Sequence, residues 1–411
     1  MHARAAADRP PAPPAPTSPF CEGECRKNFT AGWEYDSSRW VISDLSQDSY
    51  WDLPSNLSSA VPGDILRWQD LDSAAVGLNW TIPGGNSLLR FQYATEDVDG
   101  ATVAASAFLL MPYAAPRRSG GSGQLRTLAW AHGTAGPSKL CAPSNHKNLY
   151  YDCTTPRGLQ WCAGWTHVAD VAFGIAAARQ RLGGLLTDEW AAIGQSEGGM
   201  TAWRVNQRLA IDNTTSFAAA GRFLGSVAIA PASSVIDILD DLKGQPPTQD
   251  GGVLEIAGYI LHSLAALYPG QFRLEDYLTD WVPEGAFYKN DSWTSDPAVA
   301  DWRKTYNREG LTDLVAPLLI VQGTSDGIVP PHLTYKEYEK TCAARPESRL
   351  TLLTYEGLNH DTVTNSAQAD YMAWLDDLFN GKEVEQGCSR VNIKPLTNHF
   401  KNTTTSYQAT M

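Results

Sequence analysis

The sequence predicts an α/β protein, a mostly parallel central sheet with helices on both faces. Three observations carry this. Short apolar runs of strand length recur down the chain, among them "LRTLAWA", "WAAIGQ", "LGSVAIAP", "APLLIVQG" and "RLTLLTYEG". Helix-length stretches such as "VADVAFGIAAARQRLG", "MTAWRVNQRLA" and "LTYKEYEKTCAA" separate many of them. Several runs also close on glycine and small polar residues, the loops that α/β sheets use for chemistry. Parallel neighbours need a long crossover, and a helix supplies it, so strand and helix in alternation imply a parallel sheet.

Taken in order, residues 1–20 read as a proline-rich arm, extended and loosely held. "LLRFQYATEDVDGATVAASAFLLMP" reads as two strands joined at Asp97–Gly100, a hairpin signal. "LRTLAWA" follows and ends on "HGTAG". The helical "VADVAFGIAAARQRLG" ends on a glycine C-cap signal before "WAAIGQ". From about 234 to 310 the texture is helical throughout, as in "VLEIAGYILHSLAALYPG", and this reads as an insertion. Strand and helix then alternate again to "YMAWLDDLF". One large domain is expected over 21–388, with a polar tail over 389–411.

Composition narrows the function classes. The formal charge of −13 repels phosphate backbones and anionic lipid heads, so no nucleic-acid partner is expected. No apolar run reaches the length of a membrane span, and the N-terminus lacks the apolar centre of a secretory signal. Six N-x-S/T sequons, at Asn28, Asn56, Asn79, Asn213, Asn290 and Asn402, nonetheless favour a secreted glycoprotein. Seven cysteines point the same way. "CEGEC" at 21–25 and the trio Cys141, Cys153 and Cys162 suit disulfides better than a zinc site with His146, which would favour closely spaced pairs.

The chemistry centres on "GQSEGG". Gly194, Ser196 and Gly198 satisfy G-x-S-x-G, a pattern that 34 glycines make easy to meet by chance. Context gives it weight. A strand-like run precedes it and a helical one follows, the setting of a turn that lifts a serine hydroxyl above a sheet edge. A hydroxyl needs an imidazole to take its proton, and the imidazole needs a carboxylate to fix its tautomer. "LLIVQGTSDGIVP" offers Asp326 just past a strand, and "LTLLTYEGLNHD" offers His360 just past the next. Among the eight histidines, His360 alone fits both the order and the loop position. Glu356 rivals Asp326 as the acid. Two backbone N–H groups should hold the developing oxyanion: that of Glu197, and that of Thr134 with Gly133 as a near alternative. Such a mechanism calls for no metal and no cofactor.

With these residues assembled, the chain resembles the fungal secretory lipase family, the lipase-A-like branch of the α/β-hydrolases. "LAWAHGTAGPSKLCAPS", "GQSEGG", "GTSDGIVP", "GLNHDT" and the approach "PGDILRW" carry the resemblance, loosely over residues 60–380. It implies Ser196, Asp326 and His360 as a triad, and the helices of 234–310 as a lid over an acyl-binding cavity. A secreted serine hydrolase of carboxylic esters follows, a lipase or an esterase. Its partners are a small-molecule or lipid ester and a transient lipid interface. A serine peptidase or an acyltransferase could use the same machinery, and a binding protein could keep the pocket without the chemistry.

One stretch departs from that pattern. Between the "HG" loop and the helix leading to the serine, such folds hold a helix and another central strand. Residues 137–166 contain no convincing apolar run, "NLYY" being the best. A coding segment absent from this sequence or a remodelled sheet would each account for the gap. At least one distorted or missing strand is expected beside "LRTLAWA".

Overall fold

A computed structural model describes residues 23–71, 79–115, 123–134, 140, 142–149, 164–212, 215–241, 260–261, 263–265, 267–277, 291–394 and 396. Nine strands form two sheets among these residues. The first is antiparallel, in the order β1 (Ile65–Asp70), β2 (Asn86–Glu96) and β3 (Thr102–Pro112). β2 and β3 are the expected hairpin, paired from Asn86 with Pro112 to Glu96 with Thr102. In its turn, Asp97 Oδ1 accepts from the N–H groups of Asp99 and Ala101.

The second sheet is parallel throughout: β4 (Leu125–Ala131), β5 (Leu186–Gln195), β6 (Arg222–Ile229), β7 (Leu318–Gly323), β8 (Arg349–Tyr355) and β9 (Gly387–Ile393). Spatial order follows chain order. The described helices of eight residues or more are α1 (Glu24–Ser37), α2 (Gly164–Leu182), α3 (Glu197–Ile211), α6 (Pro297–Thr305), α7 (Pro331–Ala344) and α9 (Gln368–Phe379). The shorter ones are α4 (Val235–Asp241), α5 (Leu274–Tyr277) and α8 (Thr362–Ser366).

The period of two along each strand sorts side chains between the two helical layers. On β5, Trp190 and Ala192 pack with Val168 and Ile175 of α2 and with Ala202 and Val205 of α3. Their neighbours Ala191 and Ile193 join Tyr371 and Leu375 of α9 on the other face. All six residues of β7 are buried, as a central parallel strand covered on both faces requires.

Between β6 and β7 the described elements are helical. Ile236, Leu239, Ile260, Leu261, Leu264 and Trp302 form a core of their own there, with Met200 of α3 reaching into it. α6 opens with Pro297 in the first turn and with the Asp296 carboxylate accepting from the Ala298 N–H, a sharp N-terminal stop.

Two features depart from a plain reading of the pattern. Residues 389–411 read as a tail, yet the sheet continues into them: β9 pairs with β8 from Gly387 opposite Arg349 to Ile393 opposite Tyr355. An edge strand with one face in water carries polar residues such as Ser389, Arg390 and Asn392, so it lacks the apolar signature of its neighbours. It is tied by a disulfide between Cys342 on α7 and Cys388. "CEGEC" and the trio Cys141, Cys153 and Cys162 fall outside the described residues or side chains.

The second feature is the expected irregularity beside "LRTLAWA". β4 pairs with β5 on one side, and among the described residues no strand lies on the other. The described half of "NLYY" lies elsewhere: Asn148 bridges to Thr81, and Leu149 packs with Trp80 and Leu88 on the antiparallel sheet. A cavity of about 570 Å³ lies beside β4, walled by Ala105 and Leu109 of β3 and by Thr127 and Ala129 of β4, with Gly174 and Ala178 of α2 also lining it.

Candidate active site

β5 runs buried up to Gln195, and the chain then turns through Ser196 into α3. Ser196 has φ 58° and ψ −119°, a backbone conformation that costs a non-glycine residue on the order of 1–3 kcal/mol. Its surroundings hold it there. The Ser196 N–H donates to Ile229 O at 2.9 Å, and its carbonyl accepts from Met200 N at 3.0 Å and Ala232 N at 3.1 Å. The flanking glycines are required by crowding. A Cβ on Gly194 would lie 2.2 Å from the Gly198 carbonyl oxygen, and one on Gly199 would lie 2.5 Å from that of Ile229. No side chain fits at those distances, so glycine in "GQSEGG" is a steric demand of the strained turn.

Asp326 and His360 meet although 34 residues separate them. Nδ1 of His360 lies 2.8 Å from Asp326 Oδ2, with the side chains 6% and 0% exposed. The carboxylate accepts, so Nδ1 carries the proton, and in the neutral ring Nε2 would carry the lone pair. Asp326 is fixed further by the N–H groups of Ile328 at 2.9 Å and Val329 at 2.8 Å, both donating to Oδ1. This is an aspartate turn that also orients a functional carboxylate. The His360 loop sits against the end of β5, where Gln195 Nε2 donates to the His360 carbonyl at 3.5 Å. Glu356, the rival acid, is held through its own N–H, which donates to Ile393 O on β9.

Sequence reasoning missed one partner of this pair. Gln322 Nε2 donates to Asp326 Oδ2 at 3.0 Å from within β7. The signal was a lone polar residue in the otherwise apolar run "LLIVQG".

The loop after β4 carries Gly133 and Thr134 and lies against the first turn of α3, which opens on Glu197. A Cβ on Gly198 would lie 2.6 Å from the His132 carbonyl oxygen, which measures how closely the two approach. The N-terminus of α3 carries the positive end of the helix dipole, which makes this end favourable for negative charge. His132 Nδ1 lies 2.7 Å from Gly133 O, and burial holds the ring's pKa below the ordinary histidine value. His167, which lines the cavity with His132, has Nδ1 3.2 Å from Thr201 Oγ1 and Nε2 3.8 Å from Glu197 Oε1. Among the described residues, no three His, Cys, Asp or Glu side chains gather as a metal site would need. No described helix is long and apolar enough to cross a membrane.

A parallel sheet between helical layers, with a strained serine where a strand meets a helix, defines an α/β-hydrolase fold. Comparison with solved structures agrees. Candida antarctica lipase A superposes with a TM-score of 0.64 at 14% identity, over 88% of this chain and 92% of that one. The same lipase in its closed state gives 0.62 at 15%, over 89% and 93%. The rice cell wall degrading esterase LipA from Xanthomonas oryzae gives 0.55 at 16%, over 79% of this chain and all of that one. At such identities the likeness carries the fold. Neither protein-family profiles nor curated protein sequences match the chain.

Proposed function

We propose that the chain is a secreted serine hydrolase that cleaves carboxylic esters, akin to the fungal secretory lipases. The observation that supports this most is the buried Asp326–His360 pair on a loop seated beside the strained Ser196 turn. In this reading His360 Nε2 takes the Ser196 hydroxyl proton as Oγ attacks the acyl carbonyl, and Asp326 steadies the imidazolium. The N–H groups of Glu197 and Thr134 hold the oxyanion. His360 then gives its proton to the departing alcohol, leaving an acyl-serine. Water, deprotonated by the same ring, attacks the acyl-serine and releases the acid.

The helices of 234–310 act as a lid, which favours lipid or bulky esters and a transient contact with a lipid interface. Lipase and esterase names among the structural neighbours support the ester class. Turnover of p-nitrophenyl esters by the wild type and Ser196→Ala tests the mechanism, and undiminished turnover in the variant would exclude it. That no described strand pairs along the far side of β4 favours one other reading, a binding protein that kept the pocket without the chemistry. Failure of a fluorophosphonate to label the folded wild type would favour that reading.

A further inference from the structure

Behind the acid–imidazole pair lies a second layer of hydrogen bonds. Gln322, the next-to-last residue of β7, is fully buried. Its Nε2 donates to Asp326 Oδ2 at 3.0 Å, the same oxygen that faces His360 Nδ1 at 2.8 Å. At the other end of the amide, Oε1 accepts from the Thr334 hydroxyl at 2.9 Å. Thr334 sits in the first turns of α7 and is 1% exposed.

An amide is nearly symmetric in shape and opposite in chemistry at its two ends. An ionised carboxylate only accepts, so the NH₂ must face Asp326. Flipping the amide would bring Oε1 against Oδ2, two buried oxygens whose repulsion is poorly screened. The Thr334 hydroxyl opposes that flip by donating to Oε1, which ties α7 to the orientation of a side chain on β7.

We propose that Gln322 and Thr334 are positioning residues for the acid: Thr334 sets the Gln322 amide, and the amide sets Asp326 Oδ2 on the His360 ring. Main-chain donors fix Oδ1 alone, which leaves the carboxylate free to rotate about them. The Gln322 donor removes that freedom, and a charge-assisted bond in a buried site is the strong kind. Gln322 Nε2 also lies 3.2 Å from Gly323 O and 3.4 Å from Val329 O, so the amide is anchored to the strand end and to the loop that carries the acid. This inference rests on the reading of Asp326 and His360 as acid and base.

Steady-state ester hydrolysis by purified Gln322→Met, Thr334→Val and Thr334→Ser tests it, with thermal unfolding as the check on folding. Gln322→Met keeps length and removes both polar ends, and kcat should fall on the order of 10-fold or more with KM nearly unchanged. Thr334→Val should lower kcat less, and Thr334→Ser, which keeps the hydroxyl, should restore it to within about twofold. If Gln322→Met does not fold, the two threonine variants carry the test. Folded variants with wild-type kcat, or a Thr334→Ser enzyme as impaired as Thr334→Val, would overturn the proposal. Ser196→Ala and Asp326→Asn are assayed alongside. Full turnover in those two would refute the hydrolase reading itself, whereas their inactivity beside an unimpaired Gln322→Met would refute only the positioning role.

Discussion

Gly198 stands so close to Ala131 that a Cβ on the glycine would lie 2.0 Å from the alanine carbonyl oxygen. The end of β4 therefore touches the first turn of α3, and under the proposed function this contact would set how the Thr134 and Glu197 N–H groups meet. The backbone oxygen cannot swing aside as a flexible side chain could. Gly198→Ala is expected to push the two elements apart and lower kcat/KM for esters by on the order of 100-fold, the scale of a lost oxyanion donor. Gly84, with open space around its Cβ position and ordinary φ, is the control. Gly84→Ala should leave both activity and stability within about 0.5 kcal/mol of wild type. Equal, mild effects at both positions would show that the close approach does not matter.

The parts of this site legible in the sequence are those with local signatures. The buried "LLIVQG" marks a central strand, and the glycines of "GQSEGG" mark a turn with no room for a Cβ. The approach of Asp326 to His360 was legible from position, each lying on a loop just past a strand. What escaped lies in contacts between distant elements. Thr334 looks like any helix-opening threonine until α7 is packed on β7. β9 looks like a tail because half of its surroundings are water.

His146 supplies a pH dependence. It is 1% exposed, and burial, helped by the Arg39 guanidinium, lowers its pKa from 6.5 to about 4. The folded state thus keeps the ring neutral where the unfolded chain binds a proton. Between pH 4 and 6.5 the unfolded state binds more protons, so stability rises with pH through that window. The contribution is complete above about pH 6.5 and is lost as pH falls toward 4, by on the order of 3 kcal/mol. Urea midpoints at pH 4.5, 5.5 and 7 for wild type and His146→Gln check this. The gap in acid sensitivity between the two proteins should appear only below pH 6.5, and parallel curves would contradict the assignment.

The Cys342–Cys388 bridge compensates for the weak burial of β9. The strand offers little apolar surface, with Val391 48% exposed, and among the described residues it pairs with β8 alone. The bridge spans 46 residues, and closing a loop of that length removes about 4 kcal/mol of unfolded-chain entropy in the polymer estimate. Cys342→Ser with Cys388→Ser should lower stability by about 2–4 kcal/mol in chemical denaturation. Amides of 387–393 should lose exchange protection before those of β7. Unchanged protection of β9 in the double variant would mean that its hydrogen bonds to β8 suffice.

The side of β4 along which no described strand pairs makes the most discriminating prediction about the fold. Successive residues of a strand direct their N–H and C=O groups to opposite neighbours, so about half of the β4 amides point away from β5. Residues 127–131 line the cavity, and the strand is less shielded than the centre of the sheet, with Leu128 39% and Trp130 45% exposed. β7 is bonded on both sides and buried throughout, so its amides should exchange only through global unfolding. Alternate amides of β4 should exchange through local openings, on the order of 100-fold faster or more. Hydrogen exchange read residue by residue distinguishes the outcomes. If every β4 amide proves as protected as those of β7, a further strand must pair along that edge, and the cavity is the space it fills.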